Sequence, residues 1–166
     1  KHVPISHSAG RPIRVPQRPY TGPLVSIVTA HGTTECTPNH WNWVRFNENT
    51  QGKHLVYLMH REDLGFRVGI SVFKRATTGG RRGAYGLSYR FNQEKADRAW
   101  ILRVCETRAE AEAWEEIYSV KYGIPESLFE PGPCLNKTSE LIRLVFSHAN
   151  PEGGYRCLAE HDLLWT

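Results

Sequence analysis

No apolar run in the chain approaches the roughly 18 residues that a transmembrane helix requires, so a helical membrane span is excluded. Cysteine is scarce. The four present, Cys36, Cys105, Cys134 and Cys157, show no C-x-x-C spacing, which argues against a zinc ribbon. They are also too few and too scattered for a secreted disulfide scaffold, so an intracellular, reduced protein is expected. No Gly-rich phosphate loop follows a strand and opens a helix with a Lys-Ser/Thr pair, which argues against an NTPase. The stretch Lys1 to Gly10 is polar and broken by Pro4, unlike a signal peptide. Internal repeats and long low-complexity segments are missing as well.

The 166 residues give room for one domain or two small ones, and 40% hydrophobic with 23% charged residues is a globular composition. The net charge of +4 hides a gradient. Residues 1–50 carry 5 basic and 2 acidic side chains, and residues 51–104 carry 11 and 4, a balance of +7. Residues 105–166 carry 5 basic and 11 acidic side chains, a balance of −6. A strongly basic middle suits a polyanion, because Lys and Arg that neutralise phosphates supply most non-specific affinity. A solvated basic face is the alternative.

The first third is punctuated by Pro4, Pro12, Pro16, Pro19 and Pro23, which forbids a helix. Leu24 to Ala30 alternates and is rich in β-branched residues, so it predicts a strand, with a turn at His31-Gly32 and a return through Thr34 to Cys36. A third short strand is expected around Trp43 to Phe46. After Gln51-Gly52, the runs His54 to Met59 and Phe66 to Ser71 predict a hairpin across the turn Glu62 to Gly65. Thr77 to Gly83 is a basic, glycine-rich loop. Ser88 to Asp97 predicts a short helix and Ala99 to Cys105 a buried strand. Thr107-Arg108-Ala109-Glu110 is a capping box opening a helix to about Tyr122, stopped by Gly123 and Pro125. On that helix Ala111, Trp114, Tyr118 and Tyr122 share one stripe, with Glu115 beside it and Glu116 turned about 100° away. Ser139 to Ala149 and Leu158 to Trp165 have helical character.

The segment Leu55-Val56-Tyr57, followed ten residues on by Arg67-Val68-Gly69, resembles a diverged GIY-YIG nuclease signature. The resemblance continues through Arg90 to Glu94, Thr107 to Ala111, Trp114-Glu115 and Lys121-Tyr122-Gly123, about half the chain. It implies an α+β fold, a small mixed or antiparallel sheet flanked by helices, acting as a Mg²⁺-dependent endonuclease on double-stranded DNA. By the resemblance, Glu115 holds the metal and Tyr57 helps activate the attacking water. Arg90 stabilises charge on the phosphate, with Arg75 as a rival for that role. One carboxylate with phosphate oxygens and waters is an ordinary way to hold Mg²⁺. Two departures stand out. Arg67 replaces the second signature tyrosine, and a permanent cation cannot be a base. Glu94 stands where the family often has His or Tyr. Either Arg67 contacts phosphate while Tyr57 works alone, or the nuclease is degenerate. Arg81 and Arg82 are expected to touch DNA, and Asn136 is a further candidate to close the site.

Gly22-Pro23-Leu24 through Thr37-Pro38-Asn39-His40 is similar to the strand-turn-strand and T-x-x-H element of Hint domains, the protein-splicing fold of inteins. In that family Thr37 and His40 would polarise the peptide bond at the upstream splice junction. Inteins frequently carry a homing endonuclease inserted after this element. The chain begins Lys1-His2 and ends Leu164-Trp165-Thr166, without the splicing nucleophile or the terminal His-Asn pair. It is therefore expected to be a fragment of a longer intein, partnered by a host protein, or a freestanding relative.

The expected organisation is a Pro-rich, all-β Hint-like segment over 1–50, a GIY-YIG-like domain over 51–136 and a helical C-terminal segment over 137–166. The leading function is an intein-associated homing endonuclease. A splicing fragment with an inactive, DNA-binding insert is the alternative, and a DNA-binding module without catalysis is a third. A zinc site at His31, Cys36 and His40 lacks a fourth ligand at suitable spacing. Trp41, Trp43, Arg45 and Phe46 suit base stacking, or more simply a strand core.

Overall fold

The computed structural model describes residues 19–37, 40, 50–74, 85–132 and 136–163. It separates into two compact units, Lys1–Asn42 and Trp43–Thr166. The expected strand around Trp43 to Phe46 lies outside the described residues, as do Trp41, Arg75, Arg81 and Arg82.

In the first unit, β1 (Val25–Thr29) and β2 (Gly32–Cys36) pair antiparallel, with Val25 opposite Cys36 and Thr29 opposite Gly32. The loop is therefore Ala30-His31, one residue earlier than the turn expected at His31-Gly32. Gly32, at φ 135, supplies the backbone geometry that lets the return strand start at once. Most side chains of this ribbon are exposed.

The second unit is built on β3 (His54–Arg61), β4 (Gly65–Val72) and β5 (Arg98–Cys105), antiparallel in the order β4-β3-β5. Among the described residues, four helices accompany it: α1 (Gly86–Gln93), α2 (Arg108–Tyr122), α3 (Ser139–Ser147) and α4 (Gly153–Glu160). The fold is α+β with small antiparallel sheets. Central β3 alternates its side chains between two cores. Val56 and Leu58 join Phe66 and Val68 against Ala111, Tyr118 and Tyr122 of α2 and Cys157 and Leu158 of α4. Tyr57 and Met59 face the other way, toward Phe129 and toward Ile142 and Phe146 of α3, with Leu87 and Phe91 of α1 alongside. Both C-terminal helices thus bury residues in cores that also contain β3. Among the described residues, no helix is long and apolar enough to cross a membrane.

Local chemistry sets the helix ends. Thr107 caps α2 by accepting from the Glu110 N–H at 3.1 Å, and Glu110 reaches back to the Glu106 N–H at 3.0 Å. The return bond therefore lands one residue before the cap, rather than on the cap residue of a regular capping box. Gly123 ends α2 in the left-handed region at φ 69. Helix α1 begins two residues before the expected Ser88 and stops at Gln93, because Lys95 turns left-handed at φ 53. Helix α4 begins five residues before the expected Leu158. The reason is packing. The Gly153-Gly154 pair, which in sequence marks a turn, lets the helix backbone lie against the Tyr122 carbonyl and the Phe66 ring, where a Cβ would collide.

Candidate active site

The β3-β4 hairpin puts Tyr57 directly opposite Gly69. That glycine has a steric job. A Cβ there would stand 2.5 Å from the Tyr57 hydroxyl and 2.6 Å from its ring carbon, so the phenol occupies the space a larger residue would fill. Arg67, two residues earlier on the same face, stretches alongside, and its Nη1 donates to the Tyr57 hydroxyl at 3.0 Å. The same Nη1 donates to Glu94 Oε1 at 2.7 Å and Oε2 at 2.9 Å. Glu94 sits at the C-cap of α1 and also accepts from the Phe129 N–H at 3.3 Å. Arg67 Nη2 donates to the Glu126 carbonyl at 2.9 Å, while its Nε has no hydrogen-bond partner among the described residues. One ion pair thereby joins β3, β4, α1 and the segment after α2.

This cluster is sealed. Tyr57, Arg67 and Glu94 are 1%, 3% and 1% exposed. Burial raises the Tyr57 pKa above its ordinary value, against the lowering influence of Arg67, so at neutral pH the side chain is a phenol and not a base.

Glu115 on α2 and Arg90 on α1 are both only half-buried and so are within reach of solvent. On α2, Glu115 is half-buried and Glu116 exposed, as their angular positions predict. Burial pushes the Glu115 carboxyl up to about 7, assisted by the neighbouring Glu126 charge and opposed by Arg67. Arg90 on α1 is half-buried, acts electrostatically on Tyr57 and contacts Gln93 Oε1 at 3.4 Å. Arg67 is the shared neighbour, since its charge acts on both Tyr57 and Glu115. Of four residues singled out in the sequence, Tyr57 and Arg67 are in direct contact, whereas Arg90 and Glu115 act on them only through charge, Glu115 from the α2 side of the sheet.

Asn136 is exposed ahead of α3, and the side-chain hydrogen bonds of the cluster do not include it. Thr37 and His40 belong to the first unit, where the His40 N–H donates to the Thr37 carbonyl at 2.9 Å. Arg75, Arg81 and Arg82 lie outside the described residues. Glu94 and Glu126 are the additions that the sequence did not assign to the site. Glu94 was visible only as a departure from a pattern, and no spacing rule links it to Arg67, 27 positions away.

Among the described residues, no three His, Cys, Asp or Glu side chains group to hold a metal. The donor set available is Glu115 with Glu126 near it. One or two carboxylates, completed by substrate phosphate and water, match what Mg²⁺ takes from proteins that cleave phosphate esters. A carboxyl held up by burial and by a second acid is also one whose ionised form a divalent cation would stabilise.

Comparison with models of known protein families, with curated proteins and with solved structures finds no match to this chain.

Proposed function

We propose that the Trp43–Thr166 unit is a GIY-YIG-like endonuclease that hydrolyses DNA phosphodiester bonds, in a chain of intein-associated, homing type. The observation that carries this reading is the packing of Tyr57 over Gly69 at the signature hairpin positions, with Arg90 of α1 acting on Tyr57 and a half-buried, proton-retaining Glu115 on α2, the long helix that packs against the same hairpin. The strand order β4-β3-β5, with the hairpin followed by a short helix, a strand and a long helix, accords with it. The basic balance of residues 51–104 accords with a polyanionic substrate.

In this reading Glu115, with Glu126 beside it, holds Mg²⁺, which supplies positive charge to the scissile phosphate. Arg90 donates to a non-bridging phosphate oxygen and stabilises the charge that grows as water attacks phosphorus. Tyr57 is a buried phenol that packs the hairpin rather than the base of the reaction. Arg67 is committed to Glu94, so it supports Tyr57 from beneath in place of the phosphate clamp that the sequence allowed.

A second reading has a specific observation in its favour. With Arg67 neutralised by Glu94 and Tyr57 sealed, neither signature position offers a group to a substrate, as a degenerate, DNA-binding insert would require. The Hint-like reading of residues 1–50, with a host protein as partner, rests on the β1-β2 hairpin and the hydrogen bond from the His40 N–H to the Thr37 carbonyl.

Nicking of a supercoiled plasmid bearing candidate target DNA tests both readings. Cleavage that needs Mg²⁺, stops with a chelator and is lost in Glu115→Gln supports the endonuclease. Salt-sensitive duplex binding without nicking at any Mg²⁺ concentration supports the degenerate insert.

A further inference from the structure

Glu126 lies outside any helix or strand, so its place is set by where the backbone groups of its segment find hydrogen bonds. They find them on β4 and on the buried ion pair. Among the described residues β4 pairs only with β3, which leaves its other edge open. The Phe73 N–H turns inward to the Lys53 carbonyl at 3.0 Å, so the alternate residues Ile70 and Val68 turn theirs outward along that edge. Val68 donates to the Pro125 carbonyl at 3.1 Å, and the Ile70 N–H hydrogen-bonds the Glu115 carboxyl. Two residues of strand rise about 7 Å, so α2 and the segment after it meet the same short stretch of edge.

Arg67 supplies the next bond. Its Nη2 donates to the Glu126 carbonyl at 2.9 Å, one residue beyond the bond at Pro125. Glu94, which Arg67 holds, accepts from the Phe129 N–H at 3.3 Å. Pro125, Glu126 and Phe129 are thereby hung on β4 and on the pair, while Glu126 remains exposed. Burial is the main cause that raises the Glu115 carboxyl, and Glu126 is the charge that adds most to it. The two acids are therefore near neighbours, brought together from α2 and from an irregular segment by consecutive residues of one strand. Like charges side by side disfavour each other's ionised form, and a hard divalent cation between them reverses that.

We propose that Arg67 is a positioning residue: by holding the Glu126 carbonyl it sets the second carboxylate beside Glu115, and the affinity of that pair for a divalent cation depends on it. The proposal rests on the metal reading given above and adds a role for the residue that stands in place of the second signature tyrosine. Groups that orient a metal ligand without touching the metal are typically worth about 10–100-fold in metal affinity.

The test titrates the full chain with Mn²⁺ alone, without DNA, and follows free Mn²⁺ by electron paramagnetic resonance. Glu126→Gln, at an exposed position, should weaken binding about tenfold. Arg67→Met with Glu94→Leu removes both buried charges at once, so the local charge balance is kept while the bond to the Glu126 carbonyl is lost. This double variant should also weaken binding about tenfold, although its stability in urea recovers. Arg67→Lys keeps Glu94 paired but lacks the fork that reaches the Glu126 carbonyl as well, and it should show the same loss if the double variant does not fold. Combining either change with Glu126→Gln should weaken binding no further, because both act through one carboxylate. Glu116→Gln is the control and should bind like the natural protein. Natural affinity in Glu126→Gln, or in a stably folded Arg67 variant, would overturn the proposal while leaving Glu115 as a metal ligand. Additive losses would overturn it too, since Arg67 would then act by another route. A natural protein that binds no Mn²⁺ at millimolar concentration would overturn the proposal and the metal reading together.

Discussion

Arg67 Nη1 lies 2.7 Å from Glu94 Oε1, and both side chains are almost wholly buried. In the nuclease reading proposed above, these are the two positions that depart from the signature, and they answer each other. A cation in place of the second tyrosine would be costly beneath the surface by itself. An acid at the end of α1 would be equally costly. Together they form one neutral, hydrogen-bonded unit that fixes the hairpin, α1 and the segment after α2 in a single arrangement.

Breaking a buried pair from one side leaves an uncompensated charge, which typically costs about 3–5 kcal/mol, whereas replacing both partners by apolar residues is often neutral or stabilising. Arg67→Ala and Glu94→Leu should each destabilise by about that amount. The double variant Arg67→Met with Glu94→Leu should recover most of the loss, giving a coupling energy of several kcal/mol in urea denaturation. Additive single effects would show that the two charges do not act on each other.

Much of the second unit was legible because its signals are local. The apolar run His54 to Met59, the Thr107 cap and the Gly123 stop each draw on nearest-neighbour chemistry, and the structure has the elements they predict. The helical angle of Glu115 against Glu116 was equally readable. The start of α4 was not, since Gly153 and Gly154 are helical only because Phe66 and Tyr122, far away in sequence, need their missing side chains. The same limit hid the role of Glu94. Spacing along a helix predicts neighbours on that helix, and nothing in the sequence joins position 94 to the side of β4 that carries Arg67.

The contact between Tyr57 and Gly69 makes a steric prediction. In Gly69→Ala the new methyl would meet the phenol hydroxyl at 2.5 Å, with β3, the central strand, unable to retreat. Overpacking of this kind costs about 1–3 kcal/mol. Tyr57→Leu should relieve the clash, so the double variant should lose much less stability than the sum of the two singles. A measured sum equal to the separate losses would mean the ring does not pack over the glycine.

Arg90 and Glu116 provide a contrast in activity. If Arg90 meets a phosphate oxygen in the transition state, Arg90→Ala should lower cleavage by about 10²–10³, the usual loss for one stabilising donor. Glu116→Gln, on the exposed side of α2, should cleave like the natural protein. Single-turnover rates on one duplex substrate distinguish the two, and comparable losses would place the reacting phosphate elsewhere.

Glu115 should leave a mark on the pH dependence of stability. Its carboxyl is held up to about 7 in the folded protein against an ordinary value of 4.5, chiefly by burial. Between those two values the folded state keeps a proton that the unfolded state has released. Folding stability from this group therefore falls as pH rises through the window and is flat above it. Glu115→Gln removes the ionisation, so the variant should match the natural protein below about pH 4.5 and exceed it near pH 8. One pKa unit corresponds to about 1.4 kcal/mol. Glu115 is only half-buried, however, and solvent screening reduces the gain to about 1 kcal/mol. Urea denaturation in a chelating buffer measures the difference, in which the remaining titratable groups largely cancel. Added Mg²⁺ should then stabilise the natural protein more near pH 8 than near pH 6, because the ligand must be deprotonated, and should not stabilise Glu115→Gln. Equal Mg²⁺ stabilisation of both proteins would remove Glu115 as the metal ligand, and equal stabilities of the two across the whole pH range would show that its carboxylate is fully solvated.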